Sequence, residues 1–355
     1  MLIPTEPIGS IPRSERLMTA VRAFQEGKTR REELDAEYEQ AVRETIAAFE
    51  ATGSPVITDG EQRKSSFATY PLEGIGNIQP GGVIIPFADG HTRVLPSLIS
   101  GPFRYGVYAS QYLDGARKYA RVPVKQAVIS ASALSLLYPQ NGITGYTREQ
   151  FVQDLLQEHE KDIRRCLQAG AHKVQADFTE GRLAVKLDPQ KKMLQKFVDL
   201  NNRVLERFTE EERKRIGIHT CPGGDLDSTH SADVDYVELL PHLFQLKAGN
   251  FYIQLSSEKD RARVLQAIRE SSRSDQTIFV GVTDPISARV ETEEEIVERI
   301  LEASRYIPVE RLGTTDDCGF SPFGDDVSTP REIAFAKIRA RVAATESARK
   351  KLGIA

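Results

Sequence analysis

The fold class that the sequence predicts is α/β, a closed (β/α)8 barrel, and three observations predict it. From about residue 120 onward, short β-branched runs alternate with helical patterns, as parallel strands joined by crossover helices do. The last five of these runs start roughly 25 to 45 residues apart, about one βα unit each. No G-x-G-x-x-G follows any of them, so an open dinucleotide-binding sheet has no support. The 355 residues then read as one domain, 1–355, with an N-terminal helical segment and a long loop excursion after the first strand.

Each element has its own signal. An amphipathic helix from about Glu33 to Thr52 leads into a first strand at Pro55–Asp59 (PVITD). Phe67–Gly115 is irregular and rich in Gly and Pro, and is expected to carry the second strand and an excursion at the barrel mouth. Strands follow at Pro123–Ser130, Lys173–Asp177, Arg215–Cys221, Phe251–Ser256, Thr277–Asp284 and Arg311–Cys318. Their near-continuous apolar content suits a parallel sheet covered on both faces. Thr147 with Gln150 forms a capping box that opens a helix through Cys166, and Gly170 closes it. Thr292 with Glu295 opens another, to about Tyr306. Thr329-Pro330 opens the last, to about Leu352, with proline at the first helical position.

Composition limits the function. The formal net charge is -4, which leaves no basic surplus to neutralise nucleic-acid phosphates. No run of about 18 apolar residues occurs, so no membrane-spanning helix is expected. Met1–Glu6 lacks the charged-then-apolar pattern of a signal peptide. Cys166, Cys221 and Cys318 are too few and too scattered for a disulfide framework, which points to a reducing cytoplasm. The chain has no tryptophan. Homo-oligomer formation stays open.

Active sites of such barrels lie at the carboxyl ends of the strands. The polar residues there are Asp59, Glu61, Ser130, Asp177, His219, Cys221, Gln254, Asp284, Asp316, Asp317 and Cys318. In His219-Thr220-Cys221 the imidazole and thiol sit at i and i+2 of an extended segment and face one point. Cys318, from the last strand, can face the same axis. Two thiolates and a neutral imidazole are a soft ligand set that suits tetrahedral zinc. The fourth position would be a protein oxygen, water or substrate. The bland alternative is a set of small buried residues, and Cys166, in mid-helix, reads that way.

These residues carry a resemblance. The chain resembles the catalytic barrel of cobalamin-independent methionine synthase, and more broadly the zinc-dependent alkyl transferases of that superfamily. Pro4–Ser10 (PTEPIGS) is similar to the family's P-T-x-x-I-G-S, Asp59-Gly60-Glu61 to H-G-E, and Val174–Asp177 (VQAD) to I-Q-I-D. Ile218–Cys221 (IHTC) is similar to I-H-x-C, and Gly281–Asp284 and Asp317-Cys318-Gly319 complete the pattern. The resemblance implies His219, Cys221 and Cys318 as zinc ligands. It implies Ser10, Glu61 and Asp177 as the residues that hold the amino-acid end of homocysteine, where two carboxylates favour a charged amine.

Four departures narrow what it implies. Gln254 stands where the family's fourth ligand is glutamate, with Glu258 as the one alternative reached by a shift in register. Ile286 stands where the family's D-I-H-S-P-R motif carries its catalytic histidine. The tryptophan that stacks on folate is missing, and so is the extra N-terminal barrel of full-length members. The expected function is therefore methyl transfer to homocysteine or a similar small thiol from a non-folate donor.

A rival is the epoxyalkane:coenzyme M transferase branch, which His219–Tyr236 and Thr314–Phe323 resemble. That chemistry needs a proton donor, for which His230, Tyr70 and Asp317 are candidates. It also needs a cation for the sulfonate, for which Arg13, Arg63, Lys64 and Arg182 are candidates. A non-catalytic zinc-binding barrel is the alternative from another class.

Overall fold

The computed structural model describes residues 2–354. Its central sheet has six parallel strands: β1 (Gln126–Ile129), β2 (Val174–Asp177), β3 (Ile216–Thr220), β4 (Asn250–Ile253), β5 (Thr277–Thr283) and β6 (Leu312–Asp316). They lie in the order β6-β5-β4-β3-β2-β1, so each strand pairs with the one before it in the chain. Helices Arg148–Gln168, Lys192–Leu205, Arg261–Ser271 and Glu293–Ala303 make four of the five crossovers, the short turns Tyr236–Glu238 and Leu240–Leu243 lie in the one from β3 to β4, and Arg331–Lys351 follows β6. Thr147 and Thr292 form the expected capping boxes with Gln150 and Glu295. Pro330 occupies the N-cap of the last helix, one position earlier than expected.

Parallel pairing continues past both edges of the sheet. Thr5 bridges Thr314 of β6, and Ile57 bridges Val124 just before β1. These two flanking segments also meet, through Ile11 N to Gly60 O at 3.0 Å and Thr58 Oγ1 to Gly9 O at 2.8 Å. The expected strand at Pro55–Asp59 is thus reduced to a one-residue bridge. The excursion contributes nothing to the central sheet; Thr5, ahead of the N-terminal helices Glu15–Gln25 and Arg31–Glu50, joins it instead. The causes are local. Pro4 and Pro7 have no N–H to offer a ladder, and Gly60 and Glu61, at φ +65° and +55°, turn the chain away after Asp59.

Two apolar clusters follow from this layout. The large one lies between strands and helices and runs from Ile3 to Ala348. The small one, Ile8, Tyr252 and Phe279, lies among the inward-facing side chains, with the two rings stacked at 4.7 Å. Gly217 and Gly313 make room for these rings, since a Cβ at either would come within 2.6 Å of Tyr252 or 2.5 Å of Phe279. The same floor is polar at its centre. Lys125 donates to Gln175 Oε1 at 2.7 Å and lies 3.8 Å above the Tyr252 ring, while Glu6 accepts from Tyr252 at 2.6 Å and Lys173 at 2.6 Å. Burial drives the Lys125 ammonium down to about 7, with Glu6 opposing.

The excursion is pinned at two places. Asp154, Glu158 and Asp162 stand one helical turn apart on Arg148–Gln168 and accept from the backbone N–H of Phe103, Tyr105 and Ala109 at 3.1, 3.2 and 2.7 Å. At the other end, a hairpin of Ile84–Pro86 with Thr92–Val94 leans on the loops after β3 and β6. Arg93 bridges Asp225 (2.5 Å) and Asp325 (2.9 Å) there, with its guanidinium 4.2 Å from the Phe323 ring centre.

Buried Arg341 of the last helix ties β6 to the first segment, by an ion pair to one and a hydrogen bond to the other. Arg341 Nε lies 3.0 Å from Asp316 Oδ1, and its Nη1 donates to Thr5 Oγ1 at 2.8 Å. Both charges are out of water, so removing one leaves the other uncompensated. Arg341→Met should lower the unfolding free energy by about 3–5 kcal/mol in denaturant titration. An unchanged midpoint would show that this tie contributes nothing to the closure.

Candidate functional site

Strand β3 delivers His219 at its carboxyl end and Cys221 one residue beyond it. Register sets His219 beside Asp177 of β2 on one side and Tyr252 of β4 on the other. The His219 ring nitrogen Nδ1 lies 3.3 Å from the Tyr252 carbonyl oxygen, which favours a proton on Nδ1 and a lone pair on Nε2. That Nε2 is buried and has no partner. Cys318 arrives from the end of β6, and its Sγ lies 2.9 Å from Cys221 Sγ. Ligand atoms of all three residues lie within 4.8 Å of one another.

The three side chains fit a zinc ion. Bonds of about 2.3 Å to sulfur and 2.0 Å to nitrogen, arranged tetrahedrally, separate ligand atoms by roughly 3.5–3.8 Å. The two sulfurs need to open by less than about 1 Å to match. The Cys318 thiol is held well above its usual range, first by its bond to Cys221, then by burial, while His219 pulls it down. A soft, buried set of one imidazole and two thiols is the donor chemistry zinc takes.

Neighbouring residues fix the geometry without joining it. Asp317 accepts from the N–H groups of Leu255 (2.9 Å), Ser256 (2.8 Å) and Ser257 (2.7 Å), and from Ser257 Oγ (2.7 Å). Burial pushes its carboxyl up to about 7 against those bonds. Its oxygens are committed to the loop after β4, so Asp317 stands as a loop anchor where a proton donor was expected. Gly281 is required beneath it, because a Cβ there would lie 1.9 Å from Asp317 Oδ1.

Gln254, expected as fourth ligand, is committed too. Its amide oxygen accepts from Arg182 at 2.9 Å and its nitrogen donates to Ser257 Oγ at 2.7 Å. Glu258, the alternative, pairs with Arg182 at 2.8 Å and is not among the clustered ligand atoms.

The expected acceptor residues gather at the same mouth. Ser10 Oγ accepts from Ser321 N at 3.1 Å, and a Cβ on Gly319 would lie 2.2 Å from that oxygen. Glu61 pairs with the buried Lys64 at 2.8 Å, and Lys64 also donates to Ala127 O at 3.0 Å. Asp177 accepts from Gln175 at 2.8 Å; burial pushes it up to about 6, with His219 pulling down and Glu61 pushing up. Arg63 lines the same cleft but is engaged there, pairing with Asp35 at 2.6 Å and lying over the Tyr38 ring. His230 does line the cleft, with Nδ1 2.8 Å from Ser231 Oγ. Burial, aided by Lys186 and Arg182, lowers it to about 4, so it is neutral at neutral pH.

A cleft of about 2400 Å³ opens over these strand ends and is lined by Ser10, Glu61, Asp177, His219, Cys221, His230 and Cys318. Buried Glu180, which the sequence reading passed over, also lines it. Its signal was an acid on the apolar face of Glu180–Leu187, with Leu183, Ala184 and Leu187 at i+3, i+4 and i+7.

Residues 3–346 match the family described as cobalamin-independent synthase, catalytic domain. The chain belongs to that family. Relatives of this synthase-family chain include the methionine synthases of Sulfolobus acidocaldarius (23% identical over 353 residues, 99% of this chain and 94% of the relative) and Sulfurisphaera tokodaii (23% over 367 residues, 99% and 94%). Among solved structures, it is similar to a B12-independent methionine synthase from Shewanella sp. W3-18-1 in complex with selenomethionine. The TM-score is 0.76 at 18% identity, over 100% of both chains, a likeness of fold.

Gly223 lies two residues after Cys221 at φ +72°, and a Cβ there would fall 1.8 Å from His230 Nε2. Gly223→Ala should cost at least about 1–2 kcal/mol from the left-handed backbone alone. A fall in both the thermal midpoint and the zinc retained on dialysis is expected; retention of both would show that the turn is not constrained.

Proposed function

We propose that the protein is a zinc-dependent thiol alkyltransferase that methylates homocysteine or a similar amino-acid thiol from a non-folate donor. The observation that carries this reading is the convergence of His219, Cys221 and Cys318, with the Nε2 of His219 unpartnered. Family membership and the name methionine synthase borne by the Sulfolobus and Sulfurisphaera relatives support the methyl-transfer class. We read the Thr5 and Ile57 segments as the first two staves of a closed eightfold barrel forming one domain, which brings the ends of β3 and β6 over a common axis.

Zinc bound by these three residues supplies a positive charge that favours the thiolate form of an incoming thiol at neutral pH. The protein residues do the rest. His219, held by the Tyr252 carbonyl, keeps its ring oriented toward the sulfurs. Arg182 and Ser257 engage both ends of the Gln254 amide, so Gln254 would not compete with an incoming thiol for the metal. Asp177 faces the ammonium of an amino-acid thiol, whereas Glu61 is already neutralised by Lys64. Ser10 offers a hydroxyl at the same mouth.

An ammonium-bearing thiol is favoured over a sulfonate-bearing one. A sulfonate needs an uncommitted cation, and the candidates are engaged. Arg13 donates to the carbonyls of Ser321 (2.6 Å), Glu61 (2.6 Å) and Lys64 (2.8 Å), and Arg63, Lys64 and Arg182 hold carboxylates. The folate-free donor is supported by the absence of tryptophan. Ile286, at the family's histidine position, sits in a turn where its N–H donates to Asp284 at 3.0 Å.

Cys221→Ser and Cys318→Ser should each remove most bound zinc and homocysteine methylation together. Cys166→Ser, buried in the Arg148–Gln168 helix, should leave both within about twofold. Unaltered zinc content in the first two variants would refute the assignment.

A further inference from the structure

The reaction lacks an evident acid. Tyr70 is buried and donates to Asp162, Asp317 is saturated by its loop, and His230 is neutral. Glu180 differs from all three. It is 7% exposed and lines the cleft, and Ser130 Oγ (2.5 Å) and the Ser132 hydroxyl donate to its Oε1. Its Oε2 is buried and has no hydrogen-bond partner. A carboxyl oxygen left so, at a cost of about 1–3 kcal/mol, calls for an explanation outside stability. Burial raises the group to about 7 against the hydrogen bonds from Ser130 and Ser132, which lower it, and Asp177 adds to the rise; Asn201 donates to Ser132 behind, and among the described residues no cation bonds to Glu180.

What leads to Glu180 is apolar. Leu183 and Leu187 continue its helical face toward solvent, where Leu187 is 63% exposed. Met193 and Phe197 of the next helix, and Leu134 and Leu136 after β1, also line the cleft. A corridor with these aliphatic walls on the Glu180 side of the cleft favours an uncharged apolar molecule over a polyanion.

We propose that Glu180 is the proton donor to the leaving oxygen of an uncharged, apolar alkyl donor that enters along this corridor, an assignment that rests on the thiol-alkylation reading above. The thiolate sulfur forms the new C–S bond. The carbon–oxygen bond of the donor breaks and its electron pair stays on oxygen, which takes the carboxyl proton of Glu180. The proton released when the next thiol ionises restores the acid. The sum is RSH plus R′–OX giving RSR′ plus HOX, with no change of oxidation state and no further reactant.

The test compares two donors on the zinc-loaded full chain with homocysteine as acceptor. Methyl iodide releases iodide without a proton, whereas 1,2-epoxypropane opens to an alkoxide that needs one and stays in the thioether product, so that HOX and RSR′ are one molecule. Glu180→Gln keeps an oxygen for the two serines and should lower the epoxypropane-to-methyl-iodide rate ratio by about 100-fold, with Glu180→Asp recovering part of it. The wild-type epoxypropane rate should fall as pH rises through about 7, because the acid form is the active one, and the Gln variant should lack that limb. Equal losses with both donors, an unchanged ratio, or a wild type that uses methyl iodide but not epoxypropane would each overturn the assignment. A wild type inactive with both donors would instead overturn the thiol-alkylation reading, and this assignment with it.

Discussion

Two sulfur atoms 97 residues apart in the chain lie 2.9 Å from each other in a buried pocket, and the rest of the molecule is arranged around that contact. They can meet only if the ends of β3 and β6 face a common axis, with β4 and β5 between them in register. Small features enforce it. Asp317 anchors the loop after β4 beside Cys318, Gly281 makes room for its carboxylate, and Gly223 lets the chain turn behind Cys221 under His230. The bond to Cys221 and burial hold the Cys318 thiol above its usual range, and a cation bound there would favour its thiolate.

Beneath His219, Cys221 and Cys318 the interior is plugged by Tyr252, Phe279, Lys125, Glu6 and Lys173. Substrates therefore reach the site only from the mouth, which the excursion partly covers through Arg93 and the loops it clamps. The mouth has two characters. On one side Ser10, the Glu61–Lys64 pair and Asp177 are polar, with Arg13 holding the Glu61 and Lys64 carbonyls; on the other, the face of Glu180–Leu187 is aliphatic up to its single acid. Such an asymmetry suits a polar thiol meeting an apolar alkyl donor.

Most of the ladder was legible because its signals are local. The six runs after residue 120 are strands within a few residues of where β-branched content places them, and the Thr147 and Thr292 capping boxes form as their spacing implies. The i, i+2 spacing of His219 and Cys221 was enough to aim both at one point. The flanking segments at Thr5 and Ile57 were harder, since each pairs through one residue and leaves no run of alternation to read. The commitments of Gln254 to Arg182 and of Asp317 to Ser256 were not legible at all, because each depends on a partner 72 and 61 residues away. Glu180 escaped because an acid on an amphipathic helix ordinarily faces water.

X-ray absorption at the zinc edge of the purified protein, recorded with and without homocysteine, tests the central claim most directly. The account predicts a shell of two sulfurs, one imidazole nitrogen and one lighter atom, which gains a third sulfur in place of that lighter atom when homocysteine binds. A shell of oxygen and nitrogen alone, or a sulfur count that homocysteine does not alter, would contradict it.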